Sequence, residues 1–119
     1  MEFKENKAIY LQIADRICDE ILTEKYRDEE RIPSVREYSA DVEVNVNTVM
    51  RAYDYLQQQD VIFTKRGLGY YVAHGARTVI ETIRRKEFFD VALSDLVRSM
   101  DTLGISIDEV VEKWKGDNK

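Results

Sequence analysis

Hydrophobic and polar positions alternate with a helical period between residues 8 and 24. Ile9, Ile13, Ile17 and Ile21 recur every four residues beside Tyr10, Ala14, Cys18 and Leu22, with Asp15, Arg16, Asp19, Glu20 and Glu24 between them. This spacing predicts an amphipathic helix with a broad apolar face. The polar run Arg27-Asp28-Glu29-Glu30-Arg31 ends it. Pro33 then imposes an extended approach, because the residue before a proline disfavours the helical region. Ser34 and Glu37 have the spacing of a capping box, so a short helix is expected over about Val35 to Val42, with Val35, Tyr38 and Val42 inward. Glu43-Val44-Asn45 reads as a turn. Asn45 suits an N-cap, and a further helix is expected over roughly 46–59. Its inward residues are Val49, Ala52, Tyr53 and Leu56; Arg51, Asp54, Gln57 and Gln58 take more exposed faces.

Val61-Ile62-Phe63-Thr64 and Tyr70-Tyr71-Val72-Ala73 read as strands. Lys65-Arg66-Gly67-Leu68-Gly69 between them supplies glycines able to take positive φ. The pair forms a hairpin. His74-Gly75 marks a boundary, after which 76–101 reads as one long helix with an apolar patch at Val79, Ile80 and Ile83. A larger patch follows at Phe88, Phe89, Ala92, Leu93, Leu96, Val97 and Met100. Leu103-Gly104 breaks the pattern. Ser106 and Glu109 form a second capping box for a short helix carrying Ile107, Val110, Val111 and Trp114. The expected fold is mainly α with a small β-hairpin. A winged helix-turn-helix occupies residues 1–75, and an α-helical hairpin serves as a dimerisation tail over residues 76–119. Such a wing and its preceding helix are shaped to meet DNA.

Charge complicates this expectation. The 119 residues carry a net charge of −5, whereas a basic surface is the usual footprint of a nucleic-acid binder. Acidic residues outnumber basic ones both before and after residue 76. Distribution matters more than the sum, since salt screens charges beyond about 8–10 Å. Arg36, Arg51, Lys65 and Arg66 fall near the expected DNA-facing elements, and Asp15, Asp19, Glu20 and Glu24 belong to another helix. The expectation is a bipolar surface with weak monomer affinity that falls steeply with salt.

Other functional classes find little support. One Cys and one His do not make a disulfide or a conventional zinc site, so no metal or cofactor is expected. Cys18 reads as a buried, inert thiol. There is no nucleophile–base pair, and Gly67-x-Gly69 lies between strands, unlike a nucleotide-binding loop, so no enzyme is expected. No apolar run approaches a membrane span. The opening Met1-Glu2-Phe3-Lys4-Glu5 is charged and lacks the apolar core of a signal peptide. A cytoplasmic protein without membrane contact is expected.

At residues 32–72 the chain resembles the N-terminal domain of the GntR family of bacterial transcription regulators, and the preceding residues 10–14 also fit that family's first helix. The resemblance rests on Tyr10-x-Gln12-Ile13-Ala14, Pro33-Ser34-x-Arg36-Glu37, Val44-Asn45-x-Asn47-Thr48-Val49, Ala52-Tyr53-x-x-Leu56 and Gly67-x-Gly69-Tyr70-x-Val72. The short helical tail looks like that of the YtrA subfamily, which implies a homodimer, a palindromic DNA operator and repression; any small-molecule effector stays unspecified. The chain departs from the family pattern at Asp28-Glu29, where Pro-Gly is common, and at Val46, where Arg or Pro is common. Asp60 replaces a usual glycine, and Leu68 stands where a polar or basic residue is more usual.

The candidate DNA-binding residues are Arg36, Asn45, Asn47, Thr48, Arg51, Lys65, Arg66, Gly67 and Gly69. Arg36 can reach a phosphate or a base edge, or pair on the surface with Glu37 or Asp41. Asn47 can read adenine or hold a phosphate. Asn45 is either a cap alone or a contact as well. Val46 can meet a thymine methyl, and Arg51 can clamp a phosphate. Tyr53 is expected in the core, while Tyr55 can lie near DNA. Lys65 and Arg66 would follow the backbone or minor groove, with Gly67 and Gly69 permitting close approach. Phe88, Phe89, Leu93, Leu96 and Met100 are the candidate dimerisation residues, and Trp114 is expected to pack on the long tail helix or on a partner chain. The alternative is a winged-helix protein-interaction module without significant DNA affinity.

Overall fold

Six α-helices and one hairpin make up the described residues, 7–118, of the computed structural model. The charged N-terminal opening lies outside them. In chain order they are α1 (Ile9–Leu22), α2 (Val35–Val42), α3 (Val46–Gln58), β1 (Ile62–Lys65), β2 (Gly69–Val72), α4 (Ala76–Glu87), a π-helical turn (Phe88–Ala92), α5 (Leu93–Leu103) and α6 (Ile107–Asp117). The chain forms two compact units, one through Thr82 and one from Ile83. The sequence places the boundary at residues 75/76. The units divide seven residues later, which leaves the buried Ala76 and Ile80 of α4 in the first unit.

In the first unit α1 and α2 both pack on α3. Ile13, Ala14, Ile17 and Ile21 of α1 are buried with Val35, Tyr38 and Val42 of α2 and Val49, Ala52, Tyr53 and Leu56 of α3. Ile9, the first of the four isoleucines, is exposed instead. A strict four-residue repeat walks about 40° per step around a helix of 3.6 residues per turn, so the series leaves the buried face at its end. Cys18 is buried.

Both capping boxes form. Ser34 and Glu37 exchange hydrogen bonds of 3.1 Å at the start of α2, and Ser106 and Glu109 do so at the start of α6. Helix ends are less conventional. After α1, α2 and α3 the chain turns through positive φ at Glu24 (63°), Glu43 (56°) and Asp60 (63°), where glycine is the residue of choice. At Asp60 the closing bonds run from Val61 N–H to the Leu56 carbonyl (2.9 Å) and from Asp60 N–H to the Gln57 carbonyl (3.1 Å), the pattern of a Schellman motif.

The hairpin is antiparallel, with Ile62 opposite Val72, Phe63 opposite Tyr71, Thr64 opposite Tyr70 and Lys65 opposite Gly69. Residues 29–32 line the free edge of β2. Glu29 N–H reaches the Val72 carbonyl at 2.8 Å, Val72 N–H the Glu30 carbonyl at 2.9 Å and Ile32 N–H the Tyr70 carbonyl at 3.0 Å. The polar segment expected only to end α1 therefore also covers an edge strand, which satisfies backbone groups that would otherwise stay open.

The second unit has no buried side chain in its π turn, α5 or α6. The helix expected as continuous from 76 to 101 contains a π turn at the two phenylalanines. There the Leu93 N–H bonds to the Phe88 carbonyl five residues back. Apolar spacings of three and four residues tolerate one such turn without betraying it.

Candidate nucleic-acid interface

Helix α3 is built so that its first turn faces outward. Its buried side chains, Val49, Ala52, Tyr53 and Leu56, occupy one face. Val46, Asn47, Met50, Arg51 and Asp54 are exposed, which follows from the helical period. The Asn45 side-chain oxygen accepts the Asn47 N–H at 2.8 Å, so Asn45 is the N-cap and that oxygen is committed to the helix. The Asn47 side chain is exposed; Thr48 is half-buried.

The turn before α3 is held from inside. The Ser39 hydroxyl donates to the Val44 carbonyl, and Val44 N–H reaches the Ser39 carbonyl at 3.1 Å. Tyr53 donates its hydroxyl to the Pro33 carbonyl at 2.7 Å, and Tyr38 donates to Glu20 Oε1 at 2.8 Å. Burial pushes both phenols well above the ordinary tyrosine range, so they stay protonated donors. These bonds tie α1, α2 and α3 into one frame.

Arg36 is exposed in the first turn of α2 and makes no ion pair among the described residues. The surface pair with Glu37 or Asp41 is not formed. Glu37 is engaged by its own cap, and the Ser34 backbone N–H and hydroxyl hold its carboxyl below the usual range. Arg51 is placed differently from a bare phosphate clamp: its guanidinium lies 4.1 Å from the Tyr10 ring centre. Tyr10 in turn meets Tyr55 edge-on at 6.3 Å. Tyr55 is half-buried in that cluster. Stacking on an aromatic face orients a guanidinium while leaving its edge available.

In the hairpin, Lys65 Nζ sits 4.3 Å from the Tyr71 ring centre, over the stacked cross-strand pair Phe63–Tyr71. Leu68 N–H closes the tip onto the Lys65 carbonyl at 2.9 Å. Gly67 and Gly69 have φ of 77° and 111°, which only glycine adopts without strain. Space at Gly69 is also close, since a Cβ there would stand 3.0 Å from Arg31 Nε and that side chain would have to give way. Arg31 was missed by sequence reasoning. It belongs to the polar run that ends α1, and its bridge to Tyr71 brings its guanidinium beside Gly69. The wing is braced to α3 by Gln57 Nε2 on Thr64 Oγ1 at 2.7 Å.

Of the tail residues, Phe88, Phe89 and Leu96 are about half exposed (52%, 53% and 45%), while Leu93 and Met100 are intermediate. Trp114, expected on the long tail helix or on a partner chain, is 64% exposed within this chain. Among the described residues no group of His, Cys, Asp or Glu is gathered for a metal ion, and no helix is long and apolar enough to cross a membrane.

A capped helix with an outward first turn, reached through a tight turn and followed by a glycine-tipped ribbon, defines a winged helix-turn-helix. Residues 9–72 match the family described as bacterial regulatory proteins, gntR family. The chain belongs to that family of DNA-binding transcription regulators. It is 32% identical over 114 residues to an uncharacterized HTH-type transcriptional regulator, YhcF, of Bacillus subtilis, covering 96% of this chain and 93% of that protein. It is 35% identical over 72 residues to the HTH-type transcriptional repressor YtrA of the same organism, covering 60% of this chain and 55% of the repressor. A solved structure of a putative GntR-family regulator from Bacteroides thetaiotaomicron superimposes with a TM-score of 0.79 at 51% identity, covering 92% of this chain and 95% of that one.

Proposed function

We propose that this chain is a homodimeric repressor that binds a palindromic DNA operator, with the first turn of α3 in the major groove and the wing along the flanking backbone. The observation that carries the reading is the outward first turn of α3. Asn47 is exposed there beside Arg51, and exposed Arg36 stands at the start of the preceding helix. In this reading Asn47 pairs with a base edge. Arg36, Arg51, Lys65 and Arg66 neutralise phosphates, Thr48 supports the helix start, Gly67 and Gly69 let the tip approach, and Asn45 acts as the cap.

The second copy is argued from the tail. A unit without a buried side chain in α5 or α6 has no core to offset the entropy of ordering its helices. Phe88, Phe89, Leu93, Leu96 and Met100 gain that burial from another copy of this chain. Two-fold symmetry then presents two α3 helices to two half-sites, and joining two weak contacts offsets the unfavourable net charge. Repression comes from the similarity to YtrA.

The net charge of −5 and exposed Leu68 at the wing tip favour a second reading, a protein-interaction module. A salt series with duplexes enriched from a random pool separates the two. The repressor reading expects binding that weakens linearly in log–log form as salt rises; no binding at low salt favours the module.

A further inference from the structure

Beside the polar stripe of Asn47 and Arg51, the first turns of α3 carry an apolar one. Val46 and Met50 are one helical turn apart and are 38% and 40% exposed. Methionine has three rotatable bonds and ordinarily adapts to whatever surrounds it. Here it is braced. The Tyr70 hydroxyl donates to Met50 Sδ at 3.9 Å. The Tyr70 ring stands edge-on to Tyr53 at 4.9 Å, and Tyr53 is fixed by its bond to the Pro33 carbonyl. A residue of the wing strand thus holds an exposed thioether on the recognition helix.

We infer that Met50, together with Val46, is a specificity-determining residue that reads thymine 5-methyl groups in the major groove, with Tyr70 as its positioning residue; this rests on the DNA-binding reading above. The thymine methyl is the one apolar group that projects from the major-groove edge of the base pairs, where cytosine offers only a C5–H. An apolar side chain pressed against any other edge would strip water from a donor or acceptor and return nothing. Asn47, adjacent on the same turn, has the amide needed to pair with adenine N6 and N7. The half-site facing this turn is therefore rich in A·T pairs. Asp54, one turn beyond Met50 and exposed, would meet phosphates with like charge, so the reading surface ends within the first two turns of α3.

The test uses the full chain and the duplex it enriches from a random pool. Each thymine of that duplex is replaced in turn by uracil, which removes only the methyl group, and affinity is read by fluorescence anisotropy. One or two thymines per half-site should each lose about four-fold in affinity, the value of one buried methyl-sized group. In Met50→Ala the thymine-over-uracil preference should vanish at one of these positions and persist elsewhere, while Met50→Leu keeps it. Tyr70→Phe, which retains the ring, should reduce the preference without changing the salt slope. Tight, salt-sensitive binding with every uracil substitution neutral would overturn the inference, as would an unchanged preference in Met50→Ala. Failure to enrich any duplex contradicts the DNA-binding reading itself, and this inference goes with it.

Discussion

Arg36 has no carboxylate partner among the described residues, so its removal costs the fold little and any loss should appear on DNA. Arg36→Ala is expected to weaken operator binding about ten-fold in anisotropy titrations while sedimentation shows an unchanged assembly. Glu37, its neighbour, answers to pH instead. The Ser34 N–H and hydroxyl depress its carboxyl in the folded chain. A depressed folded pKa gives stability that is present above the unfolded carboxylate range and is lost as pH falls through the folded value. Thermal unfolding followed from neutral to about pH 3 should show an acid-side decline that is shallower in Glu37→Gln. Much of this scale was legible in the sequence: capping boxes and the Asn45 cap depend on side chains three or fewer positions away. Arg51 on Tyr10 and Arg31 on Gly69 were not, because both join residues far apart along the chain.

The helices read most clearly where their starts carry cap chemistry and their faces carry a period. Their ends read less evenly: α2 stops at Val42 as expected and α3 at Gln58, one residue early, while α1 falls short by two. Glu24, Glu43 and Asp60 occupy left-handed positions that the sequence does not mark with glycine or asparagine, so α1 was expected to continue to Glu24 and instead stops at Leu22. The same three sites offer a direct check on strain. Asp60→Gly keeps the Schellman bonds and relieves the left-handed cost, so it should raise stability by about 1 kcal/mol in urea unfolding; a loss would mean that the aspartate side chain contributes what the backbone does not reveal. The edge pairing of residues 29–32 was hidden for a different reason. Glu29, Glu30 and Arg31 are consecutive polar residues that leave no alternation to detect, and the hydrogen bonds to β2 run through the backbone.

At the scale of the whole molecule, sequence and structure agree on a winged helix-turn-helix with a C-terminal helical segment. The second unit keeps Phe88, Phe89 and Trp114 half or more exposed, which is the reason to expect a second copy. Phe89→Asp, placing a charge where an apolar contact is needed, should yield monomers in sedimentation and leave the first unit's melting unchanged. An unaltered mass would put the interface elsewhere. The central claim is that α3 and the wing meet duplex DNA. Backbone amide resonances, followed while an enriched duplex is added, test it most directly. The largest shifts should fall at Arg36, at residues 45–51 and at residues 65–69. Binding that leaves those amides unmoved while signals elsewhere shift would contradict the account.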